Sequence, residues 1–305
     1  MANETFRAGD ANRITRDYLD SLLIEMRHMG ARLPSTQVTI FGESFPTPIM
    51  TAALSHLDKQ RPGGAVDMAR GAKAAGAVLW TGMGDAEELG AIIATGARTI
   101  KIVKPYADNG LIFERIAYAE RIGALAVGMD VDHAFNRRGQ YDTVLGMRMS
   151  AKSIEEISSF VRATKLPFII KGVLGARDAR ICRDLGVRGV VVSHHHGILD
   201  YALPPLMALP EVVEAAGGDM AVFVDCGIET GIDAFKALAL GATAVSVGRA
   251  LMEKLNENGA EGVAEKIAEM TGELAGAMAR TCSASVETID PRVIRFRESL
   301  DRPHT

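Results

Sequence analysis

The chain has 305 residues, with 34 Lys+Arg against 38 Asp+Glu for a formal net charge of −4, and 48% of it is hydrophobic. That composition excludes a disordered chain, and an acidic balance with no Lys/Arg run interleaved with aromatics excludes a basic nucleic-acid binder. Cys182, Cys226 and Cys282 lie far apart with no C-x-x-C pair, so neither a disulfide framework nor a zinc site is expected, and a reducing cytoplasm suits them. The segment MANETFRAGDANRITRDYLD is polar where a signal peptide needs an apolar core, and no uncharged run is long enough to span a bilayer. A cytosolic enzyme acting on a small molecule, without a membrane or nucleic-acid partner, is expected.

In chain order, a helix is predicted over about 12–28. Eight short apolar runs follow, at 48–54 (PIMTAAL), 77–82 (AVLWTG), 99–104 (TIKIVK), 124–132 (ALAVGMDVD), 167–173 (PFIIKGV), 189–194 (GVVVSH), 221–226 (AVFVDC) and 244–248 (AVSVG). Near-continuous apolar runs without alternation are the signature of parallel strands covered on both faces. Between them lie amphipathic stretches rich in Ala, Leu and Glu. In Ser153-Ile-Glu-Glu156 a serine can cap a helix while Glu156 reaches back to it, and Gly186 and Gly241 suit the left-handed position just past a helix end. Eight strands alternating with helices predict a (β/α)8 TIM barrel over about 47–258 within a single domain, 1–305, with an N-terminal helix and a C-terminal helical tail over about 259–283. A doubly wound sheet would open with a glycine-rich phosphate turn after its first strand, and MTAALSHLDK has none. No internal repeat or linker interrupts the pattern.

Functional groups of such a barrel gather at the carboxyl ends of its strands. Here those ends read Asp130-Val131-Asp132-His133, Lys171-Gly172, Ser193-His194-His195-His196-Gly197, Asp225-Cys226-Gly227 and Gly248-Arg249. Carboxylates, a lysine and imidazoles thus converge on one mouth, where burial and neighbouring charge tune their protonation. Ser246-Val247-Gly248-Arg249-Ala250 together with Asp225-Cys226-Gly227 has the makings of a phosphate cradle: glycines admit an anion to the backbone N–H groups, and Arg249 adds a charge-assisted hydrogen bond.

The segment 166–251, with KGVLGARDARICRDLGVRGVVVSHHHGILDY and FVDCGIETGIDAFKALALGATAVSVGRAL, resembles the FMN-dependent α-hydroxy-acid oxidase and dehydrogenase family, the glycolate oxidase, lactate oxidase and flavocytochrome b2 type. The likeness continues upstream through FGESFPTPIMTAAL and AERIGALAVGMDVDHAFNRRGQYD, with a shorter connection after the fourth strand than the family has. It implies an FMN cofactor and oxidation of a 2-hydroxy acid or related CH–OH substrate, with His195 as the base, Asp132 orienting it and Lys171 beside the flavin. It also implies cofactor contacts at Thr51, Ala52, Thr81, Ile102, Asp130, Ser193, Asp225, Cys226, Gly227, Gly248 and Arg249. Arg138 matches the first of the family's two substrate arginines. The second is missing, since the histidine motif continues Gly197-Ile198-Leu199-Asp200. Where the family has a glutamine and then a tyrosine, this chain has Ile102 and Lys104, with Lys104 and nearby Tyr106 as further substrate-binding candidates. Asp130 stands for a threonine, and Glu229 for a phosphate-site arginine. A homo-oligomer is implied as well, and the electron acceptor is left open.

The same residues admit other readings. Three consecutive histidines with Asp130 and Asp132 would suit a metal-dependent hydrolase, but on an extended strand only alternate residues share a face, so His194 and His196 would oppose His195. Lys171 could serve a salt bridge to Asp130 or Asp132 alone, and His56 and His133 read as solvated or structural. A flavin-dependent isomerase resembling type 2 isopentenyl-diphosphate isomerase shares the barrel and the phosphate region, and the missing carboxylate arginine speaks for it.

Overall fold

The computed structural model describes residues 7–297. Its elements in chain order are helix α1 (Ala11–Ser21), strands β1 (Leu22–Ile24), β2 (Val38–Ile40), β3 (Glu43–Phe45) and β4 (Ile49–Thr51), helix α2 (Gly64–Ala74), β5 (Leu79–Thr81), α3 (Ala86–Ala94), β6 (Thr99–Val103), α4 (Asn109–Arg121) and β7 (Ala126–Asp130). A 3-10 turn (Val131–His133) and the small strands β8 (Thr143–Val144) and β9 (Met147–Arg148) follow, then α5 (Ile154–Arg162), β10 (Phe168–Val173), α6 (Ala176–Asp184), β11 (Gly189–Val192), α7 (Pro205–Ala216) and β12 (Ala221–Val224). The chain continues through α8 (Gly231–Ala239), β13 (Ala244–Val247), α9 (Arg249–Ala279) and β14 (Ile294–Phe296).

Each of the eight predicted runs contains one strand of a single parallel sheet, ordered β4-β13-β12-β11-β10-β7-β6-β5. The two outer strands, β4 and β5, meet to close the TIM barrel. At this seam the Thr51 N–H donates to the Val78 carbonyl at 3.2 Å, and the Gly82 N–H donates to the Leu54 carbonyl at 2.9 Å. Between them the Thr51 hydroxyl completes the ladder, accepting from the Trp80 N–H at 2.8 Å and donating to the Trp80 carbonyl at 3.2 Å.

Strand alternation sorts the core into two clusters. Ile49, Leu79, Val127, Ile170, Val190, Val222 and Val245 face the helices, while Met50, Trp80, Ile100, Ile169, Val191, Phe223 and Ala244 fill the barrel. Counting onward in twos from the interior residues reaches Lys104, Asp130, Lys171, Ser193, Asp225 and Ser246, all buried. These form a polar inner layer at the carboxyl ends of the strands. At the opposite end the hairpin β2–β3 plugs the barrel. Its two-residue loop, Phe41 (φ 51°) and Gly42 (φ 84°), has the left-handed pair that matches strand twist. Phe41 packs edge-on to Phe223 at 6.1 Å, and Trp80 meets Phe223 at 5.1 Å.

Helix signals match where they are local. The Ser153–Glu156 capping box is formed at α5, and Gly186 and Gly241 have φ of 77° and 102° past α6 and α8. Two boundaries differ from expectation. The first helix stops at Ser21 where 12–28 was expected, because Leu22–Ile24 pair antiparallel with β14 at the far end of the chain. The helix over 249–279 is interrupted at Asn258 and at Gly259 (φ 59°, ψ −140°), so the expected tail is its second half and the first half is the last helix of the barrel. Among the described residues no helix is long and apolar enough to cross a membrane.

Thr51 follows Ile49 in outward parity, so its side chain belongs to the seam and not to the barrel interior. Thr51→Val leaves the buried Trp80 N–H without its acceptor and is expected to cost about 1–3 kcal/mol of stability, read from urea unfolding, with Thr51→Ser restoring most of it. Unchanged midpoints would show that the seam does not need the hydroxyl.

Candidate active site

Strand β11 ends at Val192, and beyond it the chain turns left-handed, with φ of 49° at His195, 56° at His196 and 76° at Gly197. The alternation expected of an extended run therefore stops before the three histidines, and each is placed by its own contacts. His194 faces α1. Its Nδ1 accepts from the Gly197 N–H at 3.0 Å, which leaves Nε2 protonated to donate to the Thr15 hydroxyl at 2.8 Å. The His196 carbonyl accepts from Asn12 Nδ2 at 3.1 Å.

His195 faces the mouth of the barrel. Its Nδ1 lies 2.8 Å from Asp132 Oδ1, and because a carboxylate only accepts, Nδ1 carries the hydrogen and Nε2 is left for another partner. A second carboxylate oxygen, Asp130 Oδ1, lies 3.3 Å from the same Nδ1. The other oxygen of Asp130 receives a hydrogen bond from Lys104 Nζ at 2.5 Å, with both residues buried. On the neighbouring strand, Lys171 Nζ donates to Ser193 Oγ at 2.8 Å and lies 3.1 Å from Asp225 Oδ2. Lys171 is thus paired with Asp225, while its β-ladder partner is Asp130.

These charges set one another's protonation. Burial opposes the charge on His195, but Asp130 and Asp132 outweigh it and push the imidazole up to about 9. Asp132 is pushed up to about 6, first by burial and then by the charge of Asp130. For Asp130, burial is overcome by Lys171, His195 and Lys104, which hold its carboxyl well below the usual carboxylate range. Lys171 stays charged: burial opposes it, and Asp225, Asp130 and Asp132 prevail. His133, expected to be solvated or structural, lies with its ring stacked on His195 at 4.8 Å and 29°. Burial, followed by the charges of Lys104 and His195, takes His133 down to about 4, so a neutral ring covers a charged one. Its place directly after Asp132 was the only trace of this in the sequence.

Beside His195 opens a cleft of about 310 Å³ reaching from Lys171 past Cys226 and Gly227 to Gly248 and Arg249. Its far end has the donor set an organic phosphate needs. Helix α9 begins there at Gly248 with no side-chain cap, and the buried Ser246 Oγ has no hydrogen-bond partner. Arg249 lies on the same wall, with Glu229 at 3.6 Å. At the near end the Lys171 ammonium suits the negative charge of a reduced flavin ring. The residues present fit FMN.

Of the other predicted residues, Ala52, Asp225 and Cys226 line this cleft. Ile102 is buried inside the barrel. Thr51 and Thr81 share outward parity, and Thr81 lines a small separate cavity with Leu57 and Glu88. Tyr106 is buried in the helix-facing cluster. Arg138 is exposed on the connection after β7, where its N–H bonds Asn136 Oδ1 at 2.9 Å, and its guanidinium joins none of the bonds around His195. Asp130, Asp132 and His195 offer ligand atoms within 4.8 Å of one another, as a metal site would. The Lys104 ammonium already neutralises Asp130, however, and Lys171 adds a second positive charge nearby.

The chain matches the FMN-dependent dehydrogenase family over residues 6–156 and 144–296. Glycolate oxidase of Spinacia oleracea is 32% identical over 262 residues, covering 74% of this chain and 71% of that protein. 2-Hydroxyacid oxidase 2 of Homo sapiens is 30% identical over 289 residues, covering 86% and 82%. Among solved structures, mandelate oxidase superposes with a TM-score of 0.86 at 28% identity, covering 95% of this chain and 90% of that one. These relatives favour neither the isomerase nor the metal-hydrolase reading. The chain belongs to the FMN-dependent dehydrogenase family and is an FMN-dependent oxidoreductase built on a TIM barrel.

Proposed function

We propose that the protein oxidises the carbinol carbon of a 2-hydroxy acid to the 2-oxo acid, with His195 as the base. The observation that carries this reading is the His195 Nδ1–Asp132 Oδ1 pair, 2.8 Å long, at the wall of the cleft that fits the flavin. The bound cofactor supplies a two-electron acceptor for the hydride that leaves the α-carbon. His195 Nε2 takes the hydroxyl proton, and Asp132 keeps the ring in the required tautomer and stabilises the imidazolium that results. Lys171, fixed by Ser193 and Asp225, holds positive charge where the ring gains electrons.

Lys104 bonds one oxygen of Asp130 while the other lies 3.3 Å from His195 Nδ1, so this carboxylate stands between the ammonium and the base. In this reading Lys104 provides the charge that meets the substrate carboxylate, with Arg138 as a second cation on the loop above and Tyr106 supporting the wall. Ala52, Ile102, Asp130, Ser193, Asp225, Cys226, Gly227, Gly248 and Arg249 surround the cofactor, and Thr51 and Thr81 contribute only backbone. A cytoplasmic setting fits the free thiols Cys182, Cys226 and Cys282. A homo-oligomeric state completes the reading.

Two measurements test it. Under anaerobic mixing with 2-hydroxy acids the visible absorbance of the oxidised flavin is expected to bleach, and His195→Ala is expected to slow that bleaching about 10²–10⁴-fold. Equal rates in the variant would remove His195 as the base.

The second concerns pH. A base must be neutral to accept a proton, and a raised pKa keeps His195 protonated in neutral solution, so kcat/KM is expected to rise with pH toward the value of about 9. Asp130→Asn removes one of the two carboxylates and leaves the Lys104 charge uncompensated. Both changes favour the neutral ring, and the midpoint is expected to fall by about one unit or more. An NMR titration of the His195 ring checks this without turnover, and an unmoved midpoint would mean that Asp130 does not act on His195.

A further inference from the structure

The phosphate end of the cleft carries more negative charge than an anion seat should. Glu229 Oε1 stands 3.6 Å from the Arg249 guanidinium, the nearest cation on that wall. The second helix beginning here, α8, is already closed by the chain's own carboxylates. Asp233 Oδ2 accepts from the Glu229 and Thr230 N–H groups, each at 3.2 Å, and Glu273 Oε2 accepts from the Gly231 N–H at 2.6 Å. Arg16 is committed to Asp233 at 2.9 Å and to Asp20 at 2.7 Å. What is left for a phosphate is the uncapped start of α9, the unpartnered Ser246 Oγ, and an arginine that already has a counter-ion.

We propose that Glu229 sets how strongly this protein distinguishes a phosphorylated from an unphosphorylated flavin, acting as a resident counter-ion that the cofactor phosphate must displace from Arg249. The inference rests on the FMN reading and adds to it a specificity-determining residue. In this chain the phosphate contributes less to flavin affinity than its donor set would allow, because the dianion meets the Glu229 carboxylate as well as the Arg249 guanidinium. Glu229 and Arg249 are each about half exposed, at 47% and 51%, so the effect is screened by salt, unlike the buried charges around His195.

The test is binding, with no turnover. Full-length protein freed of flavin is titrated with FMN and separately with riboflavin, following flavin fluorescence at low ionic strength and again at about 0.5 M salt. Glu229→Gln is expected to tighten FMN about tenfold at low salt, the size of one screened contact between a carboxylate and a dianion, and to leave riboflavin within about twofold. Glu229→Ala should behave in the same way, and the gain should shrink at high salt. Glu229 is half exposed, its backbone N–H bonds Asp233, and its side chain makes a surface ion pair with Arg249, so both variants are expected to fold. If the ratio of FMN to riboflavin affinity is the same in wild type and both variants, Glu229 does not gate the phosphate and the proposal is wrong. If neither flavin binds any of the three proteins, the cofactor reading itself falls, an outcome distinct from equal ratios.

Discussion

Two lysines inside the barrel, Lys104 and Lys171, have to be neutralised where they stand, and that requirement organises the upper half of the molecule. Strand alternation points both inward, and each is more than nine-tenths buried. Withdrawing an ammonium from water costs several kcal/mol unless a counter-charge and hydrogen bonds replace the solvent. Asp130 answers Lys104 from the adjacent strand, and Asp225 answers Lys171 from two strands away, across β11, within the same layer. Asp130 is then anionic whatever His195 does. Its free oxygen, 3.3 Å from the imidazole, and the Asp132 carboxylate give His195 two acids where one would hold the tautomer. The proton affinity of His195 follows from how the barrel solves its burial problem.

The same layer needs a roof, and α1 supplies it. Thr15 takes the His194 Nε2 hydrogen, Asn12 holds the His196 carbonyl, and Arg16 bridges to Asp233 at the start of α8. The N-terminal helix is therefore part of the site's frame. It helps hold a stretch in which His195, His196 and Cys226 all have positive φ, a conformation that side chains with a Cβ enter only when their surroundings over-determine it. Further constraints come from nearby: Ser193 Oγ accepts from the His195 N–H at 3.1 Å, and Cys226 Sγ accepts from the His196 N–H at 3.4 Å. Burial and the Asp225 carboxylate push the Cys226 thiol up to about 12, so it stays protonated and can donate to Asp225 at 3.0 Å while accepting from His196.

How far this was legible in the sequence depends on the range of the interaction. The eight strands were visible because a buried parallel strand is apolar along its whole length, and the α5 cap because it needs only Ser153 and Glu156. The polar layer was visible too, as charged residues ending apolar runs. What escaped was non-local. Nothing near Leu22 announces that it pairs with Phe296, and Phe41-Gly42 lacks the Asn-Gly or Asp-Gly signature of its turn, although Phe223 pays the cost by packing against Phe41. Thr51 and Thr81 sat at strand ends, where function gathers, but parity turns their side chains outward. Sequence adjacency to Asp132 does not reveal that His133 stacks on an imidazole from a different strand.

An acid stands beside a cation in two places, Asp130 with Lys104 buried behind His195 and Glu229 with Arg249 at the far end of the cleft. The motif is similar, yet the consequences differ because burial differs. Asp130 and Lys104 are 4% and 8% exposed, so water screens them little and the Asp130 carboxylate acts on His195 across 3.3 Å. Removing either would strand the other as a buried charge. Glu229 and Arg249 face water, which weakens their attraction for each other and lets a bound dianion compete for the guanidinium. The inner pair is therefore fixed architecture that sets the proton affinity of His195, whereas the outer pair is a solvent-facing, exchangeable contact. Substitutions at the inner pair should disturb the fold and the His195 proton affinity together, whereas the outer pair is free to vary without touching either.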